Sequence, residues 1–212
     1  GATETPPPRR PVSLPTLRVS VDNRNMDHLV RTIRPEEWAA MKELRLAALL
    51  DPDAAIAFLA RHDEEATWED DRWKERAALS AADSSGVRQF IAEAPDGRWS
   101  GTVTLVVEEP GSSDRPPGTV VERRQGLVAG VYVRPEYRGA GVLQSLLEAA
   151  TEWAWSLKDV HRVRLFVHER NVRAEKAYRK AGFVRTGRTT PAVGHMALSD
   201  ADREAEMVLE RP

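Results

Sequence analysis

The stretch from Val131 to Gln144, VYVRPEYRGAGVLQ, ends an apolar run at Pro135, passes Arg138, Gly139 and Gly141, and then turns helical in pattern. That order of residue types makes an anion site. A helix N-terminus leaves its first amide N–H groups without intrahelical partners, and the helix dipole puts partial positive charge there. Glycine lets the backbone come close to a ligand, and Arg138 adds a full charge. A phosphate or pyrophosphate is the ligand such a turn suits. The same glycine turn also serves as a plain connection. Neither G-x-x-x-x-G-K-[ST] nor G-x-G-x-x-G is present, so the nucleotide-binding folds they mark are not indicated.

A second stretch, NVRAEKAYRKAGF, has the ends of a helix: Asn171 to cap the first N–H groups, and Gly182 to leave the helix with Phe183 packing back. Within it Tyr178 is either a proton donor, as a phenol with an ordinary pKa near 10, or a packing residue against Ala174 and Ala181. His168 sits just ahead, with a suitable pKa for a base, although a lone histidine is more often structural. His28, His62, His161 and His195 are scattered and show no metal spacing. Cysteine is absent, which excludes disulfides and thiolate chemistry.

These segments need a frame to position them. His28–Pro35 alternates apolar and polar and stops at proline, as a first strand does. PEEWAAMKELRLAALL opens with proline and glutamates and places Trp38, Met41, Leu44 and Ala48 at helical spacing. A second helical region follows, with Trp68, Arg72, Glu75 and Leu79. Val87–Ala94 and Ser100–Val107 are strands joined by PDGRW, a hairpin signal. Leu127–Val133 is nearly all apolar, as a strand covered on both faces would be. The next helix runs from about Gly141 to Leu157 and aligns Leu143, Leu146, Leu147, Ala150, Ala154 and Leu157. HRVRLFVHE is a strand, and FVRTGR and EAEMVLE are closing strands. The order predicts a mixed α/β fold with one sheet and helices on its faces.

With 212 residues, 41% hydrophobic and 30% charged, the chain suits one soluble domain. A net charge of -2 supplies no basic field for nucleic acid or a membrane surface, and the arginine-rich patches are balanced by acids. No apolar stretch is long enough to span a bilayer and the N-terminus lacks a signal-peptide core, so a cytoplasmic protein is the default. Residues 1–25 carry a proline cluster and no period. They are expected to be a disordered tail or an added extension, with Met26 as an alternative start and 26–212 as the domain.

Taken together, Asn171, Ala174, Tyr178, Gly182 and Phe183, with Arg138 and Gly141 ahead of them, resemble the GNAT acetyltransferase superfamily. Its pattern couples an [RQ]-x-x-G-x-[GA] loop after a fourth strand to N-x-x-A-x-x-x-Y-x-x-x-G-F after a fifth. Leu143 stands where that family usually has glycine or alanine. The resemblance spans roughly Leu29 to Leu209. It implies a mostly antiparallel central sheet with helices on both faces and a splay between the fourth and fifth strands. It implies acetyl-CoA as donor, with no metal. Val131, Tyr132 and Val133 would flank the pantetheine arm. Arg138, Gly139, Ala140, Gly141, Val142, Leu143 and Gln144 would cradle the pyrophosphate, and Asn171 and Ala174 would lie near the acetyl end. Tyr178 would be the general acid. The family often uses a glutamate on its fourth strand as base, but this strand has no carboxylate, leaving His168, Glu122 and Glu169 as candidates. The implied function is acetyl transfer to a primary amine of a small molecule or protein. A non-catalytic acyl-CoA-binding module is the alternative. The acceptor would be set by Trp38–Leu79 and Thr189–Asp202, where the acidic run DEEATWEDD suits an amine or polyamine or is merely solvated. A homodimer stays open.

Overall fold

A computed structural model of the chain describes residues 18–19, 28–112 and 120–212. In chain order the elements are β1 (Arg18–Val19), β2 (His28–Thr32), α1 (Trp38–Leu49), α2 (Ala54–Ala57), α3 (His62–Glu65), α4 (Asp70–Leu79), β3 (Val87–Glu93), β4 (Trp99–Glu108), β5 (Gln125–Val133), α5 (Val142–Ser156), β6 (Arg162–His168), α6 (Val172–Lys180), β7 (Val184–Pro191) and β8 (Arg203–Glu210). The expected tail lies outside the described residues except at Arg18 and Val19, whose backbone pairs with Leu29 and His28. Counting β1, the strands that the resemblance numbers fourth and fifth are β5 and β6.

The sheet runs β1-β2-β3-β4-β5-β6-β8-β7, antiparallel throughout except for β5 with β6. Alternation along β3 sorts its side chains to opposite faces. Phe90 and Ala92 join Leu105, Val128, Leu146, Leu147 and Ala150 under α5. Ile91 joins Ile33, Met41, Leu44, Trp73 and Trp99 under α1 and α4. Helices therefore cover both faces, as expected.

The helical region after α1 differs from its sequence reading. It breaks into α2, α3 and α4, with Glu69 as the N-cap of α4. The break resets the helical phase. Trp73 and Ala77 face the core, whereas Leu79 is 61% exposed.

Two features open the middle of the sheet. Pairing of β5 with β6 is confined to Gly126↔Val163 and Leu127↔Arg164, and the strands then part. On the other edge of β5, Thr102 faces Tyr132 while Thr104 faces Ala129, so β5 holds one residue more than β4 across that step. Gly130 takes the strain at φ 60°, a left-handed conformation that glycine adopts at little cost. Such a bulge bends its strand and increases the local twist, which turns β5 away from β6.

Candidate active site

The gap between β5 and β6 widens into a cavity of about 1050 Å³. The apolar run of β5 is covered on one face only along its middle, because Ala129, Gly130 and Val131 are half-buried and line this cavity. The lone glycine within the run was the sequence signal for the bulge. Tyr132 and Val133 also reach the wall, and the Val133 carbonyl accepts from Arg138 Nε at 2.9 Å.

Past Val133 the chain makes a turn of 3-10 helix at Pro135–Tyr137 and enters α5 through Gly139 (φ 79°) and Gly141 (φ 80°). Gly141 is the N-cap, and no side chain caps the helix. The first backbone bond of α5 runs from Ser145 N–H to the Gly141 carbonyl. The amides of Val142, Leu143 and Gln144 thus start the helix without intrahelical acceptors, on residues that line the cavity. Ala140 does not line it. Gln144 is tied to α6, its Nε2 donating to the Ala177 carbonyl at 3.0 Å.

Arg138 is already engaged. Its guanidinium donates to Asp51 Oδ2 at 2.8 Å, linking the loop to the end of α1. Burial pushes the Asp51 carboxyl up, but the Asp53 amide and Arg138 outweigh it and hold it below the ordinary value. Asp53 in turn pairs with Arg173 on α6 at 3.1 Å. Both aspartates line the cavity, and nothing local in the sequence marked either as a partner of a residue so distant in the chain.

On α6, Asn171 caps as expected, its Oδ1 accepting from the Ala174 amide at 3.3 Å. Asn171, Ala174 and Tyr178 line the cavity. Tyr178 is 7% exposed, its ring edge-on to Phe183 at 6.3 Å. Its hydroxyl has no hydrogen-bond partner among the described residues, and it is not sealed from the cavity. Burial raises its pKa well above the ordinary phenol value.

α6 is held by Glu175, whose Oε1 and Oε2 accept from Arg185 on β7 at 2.5 and 2.8 Å and which also pairs with Arg179. The hydrogen bond from Arg185, more than any other contact, holds the Glu175 carboxyl down at about 2. A carboxyl depressed on folding adds stability above its unfolded pKa, near 4.5, and loses it as pH falls through the folded value. Glu175→Gln is therefore expected to lower the melting temperature by an amount that is constant above about pH 5 and shrinks toward pH 2. Parallel thermal melts of both proteins across that range check it, and a gap that widens on acidification would count against the clamp.

The histidine expected as a base is engaged on both ring nitrogens. His168 is buried and lines the cavity, but Arg170 N–H donates to its Nδ1 at 3.1 Å and its Nε2 lies 2.9 Å from the Met196 carbonyl. With Nδ1 accepting, Nε2 carries the proton and donates. No lone pair is left to take a proton from a substrate in this arrangement. Glu122 lines a separate surface pocket, and Glu169 is exposed and off the cavity wall. Glu204 on β8, opposite His168 in register, is the buried carboxylate of the wall that the sequence did not flag. Among the described residues no group of three or more His, Cys, Asp or Glu side chains could hold a metal ion, and no helix is long and apolar enough to cross a membrane.

Comparison with known proteins agrees with this architecture. The acetyltransferase of GNAT family from Streptococcus pneumoniae superposes with a TM-score of 0.69 at 20% identity, over 87% of this chain and 99% of that one. A GCN5-related N-acetyltransferase from Kribbella flavida gives 0.62 at 18% identity, over 87% and 98%. Spermidine N-acetyltransferase from Vibrio cholerae, in complex with CoA and spermine, gives 0.61 at 16% identity, over 89% and 96%. At such identities the likeness is one of fold. The model of the acetyltransferase (GNAT) family matches residues 36–183, more than half of the sequence, and the chain belongs to that family.

Proposed function

We propose that this protein moves the acetyl group of acetyl-CoA to a primary amine. The observation that carries the reading is convergence on one cavity: free amides at the start of α5, an unpaired edge of β5, and the Tyr178 hydroxyl. The fit to the donor is electrostatic as well as steric. The α5 amides suit a pyrophosphate. Arg173, Lys176 and Lys180 on α6 line the same cavity, and the two lysines have no ion-pair partner among the described residues.

Acetyl-CoA supplies a thioester whose carbonyl carbon accepts the amine nitrogen; the C–N bond forms and the C–S bond breaks. The Val131–Val133 edge and Asn171 align the pantetheine arm. Tyr178 gives its proton to the departing sulfur. We assign Glu204 the proton that leaves the ammonium, in place of His168.

Isothermal titration with acetyl-CoA, followed by thiol release over an amine panel, tests the reading. Binding with transfer supports it, and binding without transfer favours a non-catalytic acyl-CoA module. For Glu204→Gln, kcat/KM near neutral pH is expected to fall about 100-fold or more and to recover as pH rises and the free amine fraction grows. A loss that is constant with pH would remove Glu204 as the base.

A further inference from the structure

Besides the strands and α5 and α6, the α1–α4 segment lines the cavity and brings Arg45, Asp51, Asp53, Glu64 and Arg76 to its wall. Glu65 is buried on α3. Its carboxylate accepts both Nε and a terminal nitrogen of Arg45, at 2.9 and 3.1 Å, a two-pronged pair that satisfies both groups. Arg76 of α4 also approaches Glu65, but at 3.6 Å, beyond hydrogen-bond length. No other acceptor among the described residues takes its N–H groups. Two guanidiniums thus share one carboxylate, and both line the cavity.

Aromatic rings flank Arg76, whose side chain stays 37% exposed. The rings of Trp68 and Trp73 lie 5.6 and 5.8 Å from its guanidinium carbon. Burial, and then the charge of Arg45, lower its pKa from the ordinary value, as expected of a cation short of counter-charge.

The acidic run that suggested a polyamine is mostly spent elsewhere. Asp63 pairs with Arg61, Asp70 with Lys42, Asp71 with Lys74, and Glu65 with Arg45. On the cavity wall Asp51 and Asp53 are held by Arg138 and Arg173, while Glu64, exposed like Asp63 on α3, pairs with no cation among the described residues.

We propose that the acceptor amine carries a carboxylate, as an amino acid does, and that Arg76 binds that carboxylate in the acetyl-transfer cavity. This rests on the acetyl-transfer reading for the amine but not for the anion, so two readouts separate them. Each L-amino acid and its carboxamide, with spermidine, would be offered to the CoA-saturated protein for calorimetric binding and to the acetyl-CoA-loaded protein for turnover.

At least one amino acid is expected to bind and react in preference to its amide. Arg76→Gln should cut that acid-over-amide ratio about ten- to a hundredfold, the range of a charge-assisted hydrogen bond. Arg76→Lys, which keeps the charge and loses the planar fork, should cut it less. Because Glu65 keeps its bidentate bond to Arg45, neither variant should lower the melting temperature by more than a few degrees. A ratio near one in the parent, or one that survives Arg76→Gln, overturns the subsite. Turnover confined to amides or spermidine overturns it while leaving acetyl transfer standing. Carboxylate-selective binding without any turnover leaves the subsite standing and sinks acetyl transfer. Absence of both rejects both.

Discussion

Tyr178→Phe is expected to lower turnover about 100- to 10,000-fold, the usual contribution of a general acid, while affinity for acetyl-CoA barely changes. The structure makes this substitution unusually clean. The ring is retained, so its contact with Phe183 survives. The hydroxyl holds no protein hydrogen bond among the described residues, so deleting it orphans no buried partner and should not cost stability. The raised pKa of Tyr178 bears directly on its role. A phenol harder to ionise is a poorer donor to a thiolate in water. Here both anions would face the same cavity, and desolvation raises the basicity of a thiolate as it does that of a phenolate. The two shift in the same direction. Tyr178 also remains protonated over the working range, so its ionisation should impose no basic limb on kcat below about pH 10. Thiol release in single-turnover mode, where chemistry limits the rate, is the measurement. Unchanged turnover of the phenylalanine variant there would remove Tyr178 from the mechanism.

What the sequence disclosed and what it hid divide along a physical line. Asn171, Gly182 and Phe183 define a helix through groups that bond within a few residues, and they lie where the spacing put them. Arg138 and Gly141 announced a turn into a helix N-terminus for the same reason. The strands of the hairpin around Gly97 and the helix on Met41, Leu44 and Ala48 were legible from period alone. Contacts across the fold were not. Asp51 reaches Arg138 and Asp53 reaches Arg173 from far away in the sequence, and the buried Glu65 of α3 takes its partner, Arg45, from α1. His168 looked available because the Met196 carbonyl that occupies it comes from a different segment. The phase of α4 is hidden because Trp68 looks like part of the same helix, whereas residues 66–69 leave the helix and Trp73 becomes the buried residue. The bulge at Gly130 lies between these cases. Its glycine was visible, but the extra residue has meaning only against the register of β4.

Gly141→Asp is expected to reduce acetyl-CoA affinity about 100-fold or more without unfolding the protein. Gly141 is the N-cap of α5 and sits at φ 80°. Most side chains are strained there, but aspartate tolerates the left-handed region better than most residues and is among the best N-caps. Its carboxylate would lie beside the first free amides of α5, although the left-handed backbone differs from the extended geometry in which an N-cap side chain gives its full stabilisation. Those amides are the donors assigned to the pyrophosphate. The substitution therefore fills the site from within and adds a negative charge where the ligand brings its own. Gly141→Ala serves as the control, since it carries the backbone strain without the carboxylate. If the strain alone mattered, the two variants would lose affinity alike. If the amides hold phosphate, the aspartate variant loses far more, and acetyl-CoA no longer raises its melting temperature, because a ligand stabilises only the state it binds. Titration calorimetry and thermal melts with and without acetyl-CoA decide it. An aspartate variant that binds and is stabilised as the parent is would place the phosphates elsewhere, and with them the whole alignment of the donor along β5.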